Sequence, residues 1–275
     1  MARRFFILLV TAGAAFAASA GSAAADVVTQ TSSNWAGYAV TGSAFTSVSA
    51  TWVQPTATCT SAGSTWSAFW VGLGGFDEDS EALEQIGTAA DCSASGKAAY
   101  TVWYELVPAA PVTVKLKVRP GDVIAASVAV TGQAVTLKLR NVTTKGYVVK
   151  KLRMAEPDVS SAEWIAEAPS TCTSSGRCDV LPLTNFGTVA FSAAKATAAG
   201  HTGTISDAAW SAVAIELRGG AGGFFPSRFV VDVPAADALP APLSTDGASF
   251  AVAWQQASTT PTEPAPPQPA GNVAP

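Results

Sequence analysis

Histidine is almost missing from this 275-residue chain, which holds only His201. A His-rich zinc centre is therefore excluded. A Ser-His-Asp triad would have to use His201, in Ala199-Gly-His-Thr-Gly203, a loop without the turn signature that exposes a nucleophile. Cysteine is scarce too: Cys59, Cys92, Cys172 and Cys178 are the four, with no CxxC spacing to offer a thiolate metal site. Aspartic-protease chemistry needs two Asp-Thr/Ser-Gly loops, and Ser244-Thr-Asp-Gly247 has neither the order nor a second copy. Charged residues make up 13% of the chain, and no run of Lys and Arg reads as a basic stripe able to neutralise phosphates. After the first residues no apolar run is long enough to cross a bilayer. Neither nucleic acid nor a membrane span is expected, and nothing calls for a cofactor or metal.

What is present begins with a positively charged Met1-Ala-Arg-Arg4, an apolar run from Phe5 to Ala17 and small residues ending in Ala23-Ala-Ala25. This reads as a signal peptide over 1–25, with a mature chain starting at Asp26. Arg3-Arg4 beside Phe5-Phe6 also fits twin-arginine export, though the pair serves equally as an ordinary charged n-region. Removing those two arginines takes the formal charge from −4 to −6. About 230 residues, 26–256, then suffice for one large domain with its own core. The remainder, 257–275, is rich in Pro, Thr and Ala and reads as an extended or disordered tail. In an exported chain four cysteines default to disulfides. Three pairings are possible; Cys59–Cys92 with Cys172–Cys178 is favoured, because the second closes a small polar loop over 173–177. The expected product is a secreted, extracellular monomer.

Short alternating segments broken by Gly, Pro, Ser and Asp point to strands over 47–53, 66–73, 82–86, 99–106, 162–166, 188–191, 211–217, 229–233 and 249–254. Val112, Val114, Leu116 and Val118 alternate before Pro120-Gly-Asp122, and two further runs around Val128 and Leu137 complete an apparent antiparallel meander. The Ala-rich 191–199 is the one candidate for a short helix. So many evenly spaced strands argue for an all-β chain, an antiparallel β-sandwich of two large sheets. Asn141-Val-Thr143 has the form of a glycosylation sequon.

Alternation along a strand puts Glu163, Ile165 and Glu167 on one face, with Trp164 and Ala166 on the other. Trp66, Ala68 and Trp70 share a face in the same way, as do Leu83 and Gln85, and Thr101, Trp103 and Glu105. Each set taken singly suits a solvated outer face. Together they suggest a groove lined by Trp, Glu and Gln that takes an extended polymer, either peptide or sugar chain. With the usual nucleophiles excluded, carboxylate chemistry on water remains. A glycoside hydrolase or lectin-like sandwich using Glu105 and Glu163 is the alternative to a peptidase.

Five strings then carry more than pattern: Ser33-Asn-Trp-Ala-Gly37, Ala68-Phe-Trp-Val-Gly72, Glu84-Gln-Ile-Gly87, Trp103-Tyr-Glu105 and Ala162-Glu-Trp-Ile165. In this order they resemble the glutamic peptidases, the eqolisin or G1 family, over roughly 32–254. The resemblance implies two seven-stranded antiparallel sheets in a concanavalin-like sandwich, and acid endopeptidase activity on protein or peptide substrates, insensitive to pepstatin. It implies Gln85 and Glu163 as the catalytic pair, with Trp35, Trp70, Trp103 and Glu105 lining the cleft. Gln54, in Trp52-Val-Gln-Pro55, stands outside the motif and reads as a strand-end polar residue. In the implied chemistry an ionised Glu163 takes a proton from water held jointly with Gln85, whose amide then donates to the oxyanion. Two acids usual in fungal relatives are absent, at Gly74 and Thr101, which bears on pH optimum and subsites. The usual long pro-segment has no room before Ser32, so zymogen control is not expected.

Overall fold

The structure is a computed structural model that describes residues 27–77, 79–172, 178–219 and 236–257. The expected signal peptide, the strand expected over 229–233 and nearly all of the Pro-rich tail lie outside the described residues. In chain order the strands are β1 (Val28–Ser32), β2 (Trp35–Thr41), β3 (Phe45–Val53), β4 (Ala68–Leu73), β5 (Leu83–Cys92), β6 (Ala98–Val107), β7 (Val112–Val114), β8 (Val123–Thr131) and β9 (Ala134–Asn141). There follow β10 (Tyr147–Arg153), β11 (Ser161–Glu167), β12 (Ser170–Cys172), β13 (Cys178–Val180), β14 (Thr188–Ala198), β15 (His201–Gly203), β16 (Ser211–Leu217), β17 (Ala236–Pro240) and β18 (Phe250–Gln256). No helix occurs among the described residues.

The fold is an all-β sandwich. One layer runs β16-β2-β11-β4-β5-β6-β7 and the other β10-β9-β8-β3-β14-β18-β17, seven strands each, joined at one corner where Leu217 of β16 pairs with Ala238 of β17. Neighbouring strands are antiparallel throughout both layers, and only the added β1 pairs parallel, with β16. Between the layers lies a core that takes alternate residues from each strand, among them Tyr38, Val40, Phe69, Val71, Ile86 and Trp164 from the first and Phe45, Val48, Trp52, Val128, Leu137 and Phe191 from the second. Two tryptophans also tie the layers by hydrogen bonds: Trp164 Nε1 donates to the Ser49 carbonyl at 2.9 Å, and Trp52 Nε1 donates to the Thr88 hydroxyl at 3.0 Å. Each indole thus fills core volume while its single donor is satisfied.

Two local expectations are corrected. The segment expected as a short helix belongs to β14, which is eleven residues long and hydrogen-bonded to both β3 and β18. Alanine is the best helix former, but propensity yields to packing, and here Phe191, Ala194, Ala196 and Ala198 all reach the core from a central strand, which decides the matter. A register shift between Ser192 and Lys195, with Ala193 at φ 50°, absorbs the irregular spacing. The meander also starts later than expected. Only Val112–Val114 is strand, and it pairs with β6 in the first layer, whereas β8, β9 and β10 form the true meander in the second. Val114, Leu116 and Val118 keep their inward alternation while the chain crosses between layers.

Both disulfides are present, Cys59–Cys92 and Cys172–Cys178, as expected. The sequon residue Asn141 is fully buried; its Nδ2 donates to Asp122 Oδ2 at 2.7 Å and its Oδ1 accepts from the Thr144 amide. In the fold it is a turn-forming residue whose amide nitrogen is already engaged.

Candidate active site

Strand register builds the site. Directly paired residues lie side by side on one face, about 4.8 Å apart. Reading across the first layer, Val213, Ala39, Glu163, Gly72, Gln85 and Glu105 form one row. Two residues along the strands, Ile215, Gly37, Ile165, Trp70, Gly87 and Trp103 form the next, and then Trp35, Glu167, Ala68, Ala89 and Thr101. All three rows are on the outer face, away from the inter-layer core. Thus Gln85, Glu163, Glu105, Trp35, Trp70 and Trp103 are brought together, as are Thr101 and Glu167.

Small residues make this face workable. Gly72 stands between Glu163 and Gln85, and a methyl there would come within 2.8 Å of the Trp70 ring, which leans over it along the strand. At Gly87 a methyl would meet the Phe69 carbonyl and, at 2.6 Å, Trp70 Cβ. Trp70 is fully buried, packs edge-on against Trp35 with ring centroids 4.9 Å apart, and forms a second apolar cluster with Ala39, Phe76, Leu83 and Ile165. Trp103 packs at the margin of this cluster. Trp35 and Trp70 are therefore floor, with little free surface of their own.

The acids divide by their partners. Glu167 receives Trp70 Nε1 at 2.7 Å and Asn34 Nδ2 at 3.2 Å, which locks both the carboxyl and the indole. Burial, only partly offset by those donors, still raises its pKa to about 8. Glu105 Oε2 accepts from Gln85 Nε2 at 2.8 Å, which fixes which end of the Gln85 amide faces away from Glu163. Burial lifts Glu105 to about 7, against the opposing pull of that bond. Glu163 is fully buried, and neither of its oxygens, nor Gln85 Oε1, has a hydrogen-bond partner among the described residues. Burial pushes the Glu163 carboxyl well above the ordinary range; the Ser161 hydroxyl, on the same strand face, opposes this, and Asp158, Glu84 and Asp77 reinforce it as like charges.

Beneath this row lies a support that the sequence did not reveal. Burial would raise Asp158, but the Ser80 hydroxyl at 2.5 Å and the Ser160 and Gly75 amides outweigh it and hold the carboxyl below its usual range. A side chain on Gly74 would run into Asp158. The acid absent at position 74 is thus matched in space by one from a different loop. The Asp158 amide in turn donates to Glu84 Oε1 at 3.2 Å, and Glu84, buried on the opposite face of β5 from Gln85, is raised by burial to about 8. Ser161 was legible in principle, being two residues before Glu163 on one strand; Asp158 and Glu84 meet only through folding.

Register does not set the two acids of the glycosidase alternative side by side. Glu105 and Glu163 are three strands apart, roughly 14 Å between Cα atoms, with Gln85 and Gly72 between them. In a glycosidase the two carboxyl groups themselves stand about 5–9.5 Å apart.

The sequence profile of the Peptidase A4 family matches residues 33–221, which span all three rows. The chain belongs to that family, the glutamic peptidases or eqolisins. Aspergillopepsin-2 of Aspergillus niger is 29% identical over 200 residues, covering 64% of this chain and 68% of that protein. Among solved structures, scytalido-glutamic peptidase bound to a transition-state analogue inhibitor superposes with a TM-score of 0.61 at 25% identity, over 81% of this chain and 98% of that one. Aspergilloglutamic peptidase from Aspergillus niger gives 0.53 at 24% identity, over 70% and 99%. This A4 peptidase is accordingly a hydrolase of peptide bonds, and its sandwich is theirs.

Proposed function

We propose that this peptidase is an exported acid endopeptidase whose reaction runs on Gln85 and Glu163. The observation that carries this reading is the row Glu163–Gly72–Gln85–Glu105, in which Glu163 and Gln85 keep unused hydrogen-bonding atoms on one face. Gly72 separates them on the strand ladder, with no side chain of its own and with the Trp70 ring leaning over it. Water held by Glu163 and the Gln85 carbonyl oxygen loses its proton to Glu163 as it attacks the scissile carbonyl. The Gln85 amide nitrogen then donates to the oxyanion, and Glu163 returns its proton to the leaving nitrogen.

Burial disfavours the ionised form of Glu163, so the base must be stabilised by hydrogen bonds from the bound water and Gln85. Glu105 and Glu167, both raised, are neutral throughout the acid range and add no charge against it. Two disulfides and the signal-like first 25 residues support an extracellular location. Protein chains are the substrates, and the enzyme acts as a monomer.

Cleavage of a denatured protein at acid pH with pepstatin present tests this reading. The parent should cleave, Gln85→Ala should lose about 10²–10³ in kcat, and Glu163→Gln at least as much. A parent inert across the acid range, or Gln85→Ala at full activity, would sink it.

A further inference from the structure

The positive charge of the molecule is concentrated away from the active site. Between Leu106 and Ala155 there are nine Lys and Arg but a single acid, Asp122, which is buried and bonded to Asn141. Register brings two of them, Lys138 and Arg140 at alternate positions of β9, together with Lys195 of β14 on the outer face of the second layer. There Lys195, Ser49, Ser127, Lys138 and Val149 form one row, and Thr51, Ala125, Arg140 and Tyr147 the next.

Short side chains on β3 and β8 flanked by long ones on β14, β9 and β10 leave a trough along the strands. Its volume is about 730 Å³, its floor is Ser49, Thr51 and Ser127, and its walls carry Lys195 on one side and Lys138 and Arg140 on the other. Lys195 and Lys138 stand three strands apart, roughly 14 Å at Cα. Lys145 lies at one end, no carboxylate lines the trough, and the ion pairs formed among the described residues involve other cations. Tyr147, 73% exposed, stands beside it.

We propose that this trough binds a linear polysaccharide bearing sulfate or phosphate esters, and so tethers the peptidase to such a polymer while the cleft on the other layer stays free. The cations match ester oxyanions, Arg140 offering a bidentate fork. The hydroxyl floor hydrogen-bonds to sugar hydroxyls, and the open face of Tyr147 gives a ring for a sugar to stack on. Strong-acid esters remain fully charged at acid pH, whereas the carboxylates of an acidic peptide lose about half their charge near pH 4 and more below it. This last point rests on the acid-peptidase reading; the charge and shape of the trough do not.

Dextran sulfate is the probe, with neutral dextran as control, measured at about pH 4 and low salt. Binding should weaken roughly tenfold or more in the Lys138→Ser, Arg140→Ser, Lys195→Ser triple variant and partly in Lys195→Ser alone, and should fall steeply between about 50 and 500 mM salt. Cleavage of a short peptide should be unchanged in both variants, which also reports that they fold. The proposal is overturned if the parent does not bind dextran sulfate at low salt, or if the triple variant binds as the parent does. Tighter binding of polyglutamate, duplex DNA or anionic vesicles than of dextran sulfate would overturn it too. Loss of peptide cleavage in the parent would count against the catalytic reading and leave the binding result standing.

Discussion

Gln85 is held from one side only. Its amide nitrogen donates to Glu105 at 2.8 Å, so the charge on Glu105 bears directly on the group proposed as oxyanion donor. With Glu105 titrating at about 7, activity should decline as pH rises past neutrality, when a negative charge appears beside the reacting centre. Glu105→Gln keeps an acceptor for Gln85 but cannot ionise. The alkaline limb of its kcat/KM profile should therefore move to higher pH with activity at pH 4 retained; an unmoved limb would assign it to another group. Asp158 acts with the opposite sense at the acid limb. It is a like charge that raises Glu163, so Asp158→Asn should let Glu163 ionise more readily and shift the acid limb to lower pH. At this scale the sequence was partly informative. Strand parity alone placed Glu163, Ile165 and Glu167 on one face. The link from Gln85 to Glu105 and the loop-borne Asp158 depend on register and on contacts between distant segments, which periodicity does not encode.

At the level of elements, β5 carries the most constraint. It is paired along its whole length with β6, bears Gln85 on one face and Glu84 on the other, and ends at Cys92, whose disulfide to Cys59 spans 33 residues. Replacing both cysteines by alanine should lower stability by about 2–4 kcal/mol, read as a fall in denaturant midpoint, and loosen the end of the strand that positions Gln85. Gly87→Ala should be still more damaging to function, because its methyl has only the Phe69 carbonyl and the Trp70 backbone and Cβ to displace. A soluble, stable and fully active Gly87→Ala protein would show that Trp70 is not fixed as described. The strands themselves were largely visible as alternation. The failures came at β14, where alanines read as helix until a central position between β3 and β18 settled the matter, and at 115–119, where alternation persists in a crossing segment that joins no strand ladder.

The whole molecule segregates its charge and its neutral acids. Glu84, Glu105, Glu163, Glu167 and Asp91 are all raised by burial. A carboxyl raised in the folded state leaves stability intact below its unfolded pKa of about 4 and withdraws it as pH climbs toward the folded value. Between pH 4 and 8 the melting temperature should therefore fall. Asp158, held low, acts the other way but loses its share only below the ordinary carboxylate range. Glu84 lies on the opposite face of β5 from Gln85, and Glu84→Gln should recover on the order of 2 kcal/mol at pH 8, about 4–8 °C, with little change at pH 4. A melting temperature independent of pH in the parent would refute this. None of these burials was readable from composition, since acids on alternating strands look solvated until the packing of loops above them is known. The central claim, that Gln85 and Glu163 act as one unit on a shared water, is tested most directly by a double-mutant cycle in kcat with Gln85→Ala, Glu163→Gln and the two combined. The combined variant should be about as slow as the slower single variant, because either loss alone disables the unit. Losses that multiply would show two independent contributions and contradict the pair.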